Sequence, residues 1–257
     1  MGKIIAVTNQ KGGVGKTTTA VNMASCLSEM GKRVLLVDMD PQGNATSGLG
    51  VRVSGGETVY DVLVNESDVH AAILPTEFDN LFVLPSSIDL SGAEIELVGV
   101  AGREVVLREA LAGPKDEYDY IFIDSPPSLG LLTLNALTAA DSVLVPIQCE
   151  YYALEGVGQL MNTLQLAKKR LNPGLAVEGV ILTMLDGRTN LGQQVVSEVK
   201  RHFRGSVFAT VVPRNVRLSE APSHGLPINY YDAKSPGALA YRALAEELIE
   251  RNDEVSV

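Results

Sequence analysis

The residues with the clearest chemical content are Gln10-Lys11-Gly12-Gly13-Val14-Gly15-Lys16-Thr17-Thr18, which follow an apolar run and open a stretch of helical periodicity. Glycines in such a loop let backbone N–H groups curl around phosphate oxygens, and a helix starting there adds a favourable dipole. In that arrangement Lys16 reaches the β and γ phosphates and the Thr17 hydroxyl binds Mg²⁺. A glycine-rich turn that only caps a helix, with Lys16 solvated, is the plain alternative. Two acidic segments weigh against it. Val37-Asp38-Met39-Asp40-Pro41-Gln42-Gly43 closes a second apolar run, and open parallel sheets place ligand-binding groups at such strand ends. Tyr120-Ile121-Phe122-Ile123-Asp124 is an apolar strand ending in an acid, which suits an aspartate holding Mg²⁺ through water. Asp38 either joins that metal shell or caps the next helix. Each aspartate alone reads equally well as a cap; three elements in this order make capping a poor account of all of them.

The elements needed to position these groups are legible around them. Short β-branched runs alternate with longer helical patterns, the signature of a parallel sheet covered by helices on both faces. The expected strands are Lys3 to Thr8, Arg33 to Asp38, Leu81 to Leu84, Tyr120 to Asp124, Ser142 to Ile147, Glu178 to Leu185 and Val207 to Val212. Several are apolar throughout, as strands buried on both sides should be. Thr17 to Met30 forms a helix that stops at Gly31. Residues 43–80, rich in Gly, Ser and Asn, read as a surface excursion with one short helix near Thr58 to Asn65. The fold class is therefore α/β: a single-domain P-loop NTPase with a mostly parallel, twisted central sheet. One domain spans residues 1–251, followed by a short acidic tail over 252–257.

Composition narrows the function classes. Of 257 residues 46% are hydrophobic and 20% charged, enough apolar material for a buried core. The formal charge of −10 argues against a surface coated in positive potential, so any contact with nucleic acid has to be local. One such place exists: residues 200–217 carry Lys200, Arg201, Arg204, Arg214 and Arg217 without an acid, a cluster that is either a solvated face or a phosphate-neutralising patch. Cys26 and Cys149 lack metal-ligand spacing and read as buried hydrophobes in a reducing compartment. The apolar runs are too short for a membrane span.

The loop departs from the common phosphate-loop pattern at Gln10, where glycine is usual, and gains a lysine at Lys11. Lys-Gly-Gly-x-Gly-Lys-Thr resembles the deviant Walker A motif of the ParA and MinD superfamily. Lys11 to Thr19, Val37 to Leu49, Ile123 to Leu129 and Val212 to Ser223 together resemble the short ParA/Soj proteins of chromosome and plasmid partition. The resemblance implies that Lys11 crosses a dimer interface to the phosphates of the other subunit, and that Asp40 orients or deprotonates the attacking water. It implies a base site near Pro213 and Asn215 with Met184 opposite, and nonspecific DNA contact through Arg188 and Arg217. It further implies ATP/ADP and Mg²⁺ as cofactors, an ATP-dependent homodimer and a ParB-type activator. A cytoplasmic, nucleoid-associated place follows, with no membrane partner and no N-terminal helix-turn-helix domain. A MinD-like membrane ATPase is the alternative, but the segment Leu239 to Arg251 carries Glu246, Glu247 and Glu250 where such a protein has a basic face. An iron–sulfur reductase is disfavoured by the position of Cys26 inside the helix after the loop.

Overall fold

A computed structural model describes residues 2–150, 153–186, 190–203 and 205–255. In chain order the elements are β1 (Lys3–Val7), α1 (Lys16–Glu29), β2 (Val34–Asp38), α2 (Asn44–Gly48), α3 (Val59–Val64), α4 (Val69–Ala72), β3 (Leu74–Pro75) and β4 (Leu81–Leu84). They continue with α5 (Leu90–Glu96), α6 (Val106–Ala110), β5 (Tyr120–Asp124), α7 (Leu131–Ala139), β6 (Ser142–Gln148), α8 (Ala153–Arg170) and β7 (Ala176–Thr183). The last are α9 (Asn190–His202), α10 (Arg217–Glu220), α11 (Ile228–Tyr231) and α12 (Pro236–Val255).

Among the described residues the seven strands form one sheet in the order β3-β4-β2-β5-β1-β6-β7, parallel except where the short β3 pairs antiparallel with β4. Side chains alternate along each strand and so feed two cores. Ile4, Ala6, Leu35, Val37, Ile121 and Ile123 face a layer holding residues of α3, α5, α6, α7, α8 and α9. Ile5, Val7, Val34, Leu36 and Phe122 face α1 and α12. Phe122 is fully buried there, and burying a side chain of that size stabilises by about 1.5–3 kcal/mol. One domain of two helical layers around a parallel sheet results, as the alternation of patterns requires.

The stop at Gly31 forms as its sequence position suggests. Gly31 takes φ 83°, its N–H donates to the Ser28 carbonyl at 2.9 Å, and the Lys32 N–H reaches the Leu27 carbonyl at 3.1 Å, closing the last turn. The first turn begins at Lys16, one residue earlier than expected.

Three expectations need correction. Val207 to Val212 is not a strand: it meets β7 through an isolated bridge from Val180 to Val207 and a hydrogen bond from the Val212 N–H to the Leu182 carbonyl at 2.9 Å, and a second isolated bridge joins Leu185 to Pro213 just beyond it. Between them the N–H groups of Ala209 and Thr210 donate to the Glu247 carboxylate of α12, at 2.8 and 3.1 Å, which draws the segment off the ladder. Residues 43–80 hold three short helices rather than one, and Val59, Val62 and Leu63 of α3 are core residues. Thr58 caps α3 in a reciprocal box with Asp61, which places that helix as its sequence indicates. The expected tail at residue 252 is still helical, since α12 runs to Val255 and Asn252 accepts a hydrogen bond from Lys3.

Candidate functional site

The C-terminal ends of β1, β2 and β5 are neighbours in the sheet, and everything chemical in the sequence converges on them. β1 releases the chain into the glycine loop. Asn9, just past the strand, donates to the Pro146 carbonyl at 2.8 Å and accepts from the Lys11 N–H at 3.0 Å, fixing the loop entry to β6. The Thr183 hydroxyl donates to the Val14 carbonyl at 2.9 Å and ties the loop to β7. Gly15 precedes α1 with φ 88° and ψ 30°, a left-handed conformation that favours glycine, and no side chain caps the helix. The first-turn N–H groups are therefore presented without a side-chain acceptor, the arrangement in which a helix N-terminus takes an anion.

Lys16 lies in this turn, buried to 7% exposure, with its ammonium 3.2 Å from the Lys11 carbonyl. Burial lowers its pKa, while Asp124 and Asp40 nearby hold it up. Asp124 at the end of β5 is fully buried, and neither carboxylate oxygen has a hydrogen-bond partner. Its pKa stands well above the usual carboxylate range, through burial first and the Asp38 carboxylate second, with the Thr17 side chain and Lys16 opposing. A buried, unpartnered carboxylate is costly unless something satisfies it. Among the described residues no group of three or more His, Cys, Asp or Glu side chains gathers to hold a metal. A hard divalent cation that keeps water and phosphate oxygens fits one carboxylate and one hydroxyl well, so Asp124 and Thr17 are the donors this site offers.

Asp38, aligned with Asp124 across the β2–β5 pair, is differently placed. One oxygen accepts from the Thr46 N–H and hydroxyl, both at 2.8 Å, and the other accepts from the Asp40 N–H at 3.2 Å. Burial pushes its pKa up to about 6, against these hydrogen bonds. Both oxygens are thus engaged by the following loop, and the geometry favours a loop-holding part for Asp38 over the metal shell. Asp40 is partly exposed, accepts from the Gln42 N–H at 3.0 Å, and sits close enough to influence both Lys16 and Asp124.

Met184, Pro213 and Asn215, the residues expected at the base site, line one cleft of about 290 Å³ together with Gly15, Thr18 and Tyr241 of α12. The Tyr241 hydroxyl lies 3.2 Å from that of Thr19. The basic residues are less concentrated than the sequence suggests. Arg188 and Arg204 lie outside the described residues. Lys200 and Arg201 stand exposed on the last turn of α9, Arg214 is exposed in the lining of the cleft, and Arg217 is exposed at the start of α10. Acids absent from residues 200–217 arrive from elsewhere: Glu198 pairs with Arg201 at 3.2 Å, while Glu220 and Asp232 pair with Arg217 at 2.8 and 3.5 Å. Asn9, Thr183 and Tyr241 do not stand out in the sequence as site residues. An Asx residue directly after a strand is a recognisable loop-starting signal, whereas the other two depend on tertiary contact alone.

The model of the AAA domain family matches residues 2–177. The chain is 64% identical over 249 residues to the sporulation initiation inhibitor protein Soj of Bacillus subtilis (strain 168), covering 96% of this chain and 98% of that protein. It is 56% identical over 255 residues to the chromosome partitioning protein ParA of Myxococcus xanthus, covering 98% and 89%. Among solved structures, cobyrinic acid a,c-diamide synthase from Mycobacterium smegmatis with bound ADP and magnesium superposes with a TM-score of 0.86 at 40% identity, covering 98% of this chain and 96% of the other. With this identity over nearly the full length of both relatives, the chain belongs to the Soj/ParA family of chromosome-partitioning ATPases.

Proposed function

We propose that this chain is an ATP-hydrolysing switch that dimerises on ATP, holds DNA without sequence preference in that state, and works with a ParB-type partner in chromosome or plasmid segregation. The carrying observation is Asp124: two buried, unpartnered carboxylate oxygens beside Lys16 at an uncapped helix start. The backbone from Lys11 to Thr18 cradles the phosphates, Lys16 neutralises the β and γ oxygens, and Thr17 with Asp124 holds Mg²⁺. Bound Mg²⁺ supplies charge neutralisation across those oxygens. Asp40 orients the attacking water and accepts its proton. Lys11, at the partly exposed loop rim, adds positive charge to the partner subunit's phosphates, so that hydrolysis waits for dimerisation. Met184, Pro213 and Asn215 receive the adenine in their cleft.

Lys200, Arg201, Arg214 and Arg217, with Arg188, form the DNA contact. Two copies per dimer bind more tightly than one through effective concentration, which makes ATP the switch for DNA. The protein then acts in the cytoplasm on the nucleoid. A membrane-bound reading is disfavoured by α12, whose Ala238, Tyr241, Leu244, Ala245 and Leu248 are spent in the core. Among the described residues no helix is long and apolar enough to cross a membrane. Mixed-sequence duplex DNA and anionic liposomes, each offered to the protein with ATP, ADP or no nucleotide, test the proposal. DNA retention only with ATP is the expected result; ATP-dependent pelleting with liposomes and no DNA retention would overturn it.

A further inference from the structure

The geometry points to Thr46 as a positioning residue for hydrolysis, holding the Asp38 carboxylate as a clamp on the loop that carries Asp40. This rests on the reading of Asp40 as the water-orienting residue. Thr46 sits in α2, is buried to 4% exposure, and directs its side chain to Asp38 and Ser86 rather than to the glycine loop. Its hydroxyl donates to Asp38 Oδ2 at 2.8 Å and accepts from the Ser86 N–H at 3.0 Å. Its N–H reaches the same Asp38 oxygen at 2.8 Å. One hydroxyl therefore joins the end of β2, the start of α2 and the loop after β4.

The other end of the clamp is the functional one. Asp38 Oδ1 accepts from the Asp40 N–H at 3.2 Å, so the orientation of one buried carboxylate fixes the backbone from which the Asp40 side chain projects. Asp38 also lies level with Asp124 across the β2–β5 pair. Without the Thr46 hydroxyl, Asp38 loses one of its three donors and Ser86 loses its acceptor. The Asp38 carboxylate is then held by two backbone N–H groups alone, Thr46 on one oxygen and Asp40 on the other, and the anchor of the Asp40 backbone is loosened. Supporting residues of this kind act through the groups they orient, and their loss lowers activity while leaving the directly binding groups in place. The P-loop is held by other groups, Asn9 and Thr183.

Thr46→Val keeps the shape and removes the hydroxyl; Thr46→Ser keeps the hydroxyl. With the full chain, Mg²⁺ and ATP, kcat of Thr46→Val should fall about 10–100-fold while KM and the affinity for a fluorescent ATP analogue stay within about threefold. Thr46→Ser should restore kcat. ATP-dependent dimerisation, read by light scattering, should survive in both. Analogue affinity falling in step with kcat, or no recovery in Thr46→Ser, would make Thr46 a structural residue only and overturn the inference. Asp40→Ala run alongside separates the two claims. Wild-type turnover in Thr46→Val beside an inactive Asp40→Ala sinks the clamp alone; wild-type turnover in Asp40→Ala removes the water-orienting assignment and the clamp with it.

Discussion

At the scale of single residues, the two aspartates of Val37-Asp38-Met39-Asp40 divide their work by burial. Asp38 is fully buried with three hydrogen bonds to loop groups, whereas Asp40 keeps a partly exposed carboxylate near the phosphate loop. A group that must take a proton from water needs access to solvent and freedom from saturating donors, and only Asp40 has both. Asp40→Ala should leave Lys16, Thr17 and Asp124 in place, so ATP and Mg²⁺ still bind and the dimer still closes. Hydrolysis should fall by about 10²–10⁴, the usual cost of losing a positioned general base. Single-turnover assays beside nucleotide titration check this: the variant should accumulate as an ATP-bound dimer that stays on DNA. The two loop lysines and the three aspartates are visible in sequence because their spacing is local and their chemistry restrictive. The assignment of oxygens between Asp38 and Asp40 is not, since it depends on Thr46, eight residues after Asp38.

At the scale of elements, the strands that carry the site are legible because each is a short apolar run buried on both sides. Val207 to Val212 has the same composition and fails for a reason no local pattern contains: a carboxylate from α12 takes two of its N–H groups. The short helices of residues 43–80 have weak periodicity because each has only one or two turns to express it. Charge follows the same rule. The run from Lys200 to Arg217 has no acid in sequence, yet α10 folds Arg217 against Glu220 and Asp232. Arg217 is half exposed and can exchange those partners for a phosphate. Arg217→Glu should therefore weaken DNA binding about equally across sequences and lower the salt slope by about one for each phosphate no longer neutralised, two for a dimer. ATP affinity and dimerisation should be unchanged. Fluorescence anisotropy across a salt series with two unrelated duplexes measures both effects; tight binding after the charge reversal would place the DNA-binding surface elsewhere.

At the scale of the whole molecule, the loop rim bears on the proposed dimer and the buried acids on the response to pH. Gly12 is exposed, and a β-carbon built there meets no atom within 4 Å. Gly12→Val should fold and bind ATP normally, yet fail to form the ATP dimer, because in the proposed dimer its branched side chain would project where the other subunit approaches; light scattering with ATP decides. Acidity acts on the interior instead. Asp38 rises from 3.8 to about 6 on folding, and Asp124 shifts upward as well. The folded protein thus binds more protons than the unfolded chain between those values, and stability falls as pH rises through that window. The stabilisation of the protonated form is fully present below pH 3.8 and lost by the time pH passes about 6. At about 1.4 kcal/mol per pKa unit, Asp38 alone accounts for about 2–3 kcal/mol of this slope. Subtracting the melting profile of Asp38→Asn from that of the nucleotide-free wild type isolates it: the difference should change by several degrees between pH 4 and 7 and be flat above. On the proposed role, Mg²⁺ and nucleotide need Asp124 as the carboxylate, so binding should release the proton that burial and the Asp38 carboxylate favour on it, and should weaken as pH falls. Calorimetric titration in buffers of differing ionisation enthalpy reads that release directly, with Asp124→Asn as the control that removes it; identical heats in every buffer would mean that Asp124 is already ionised before the cation arrives.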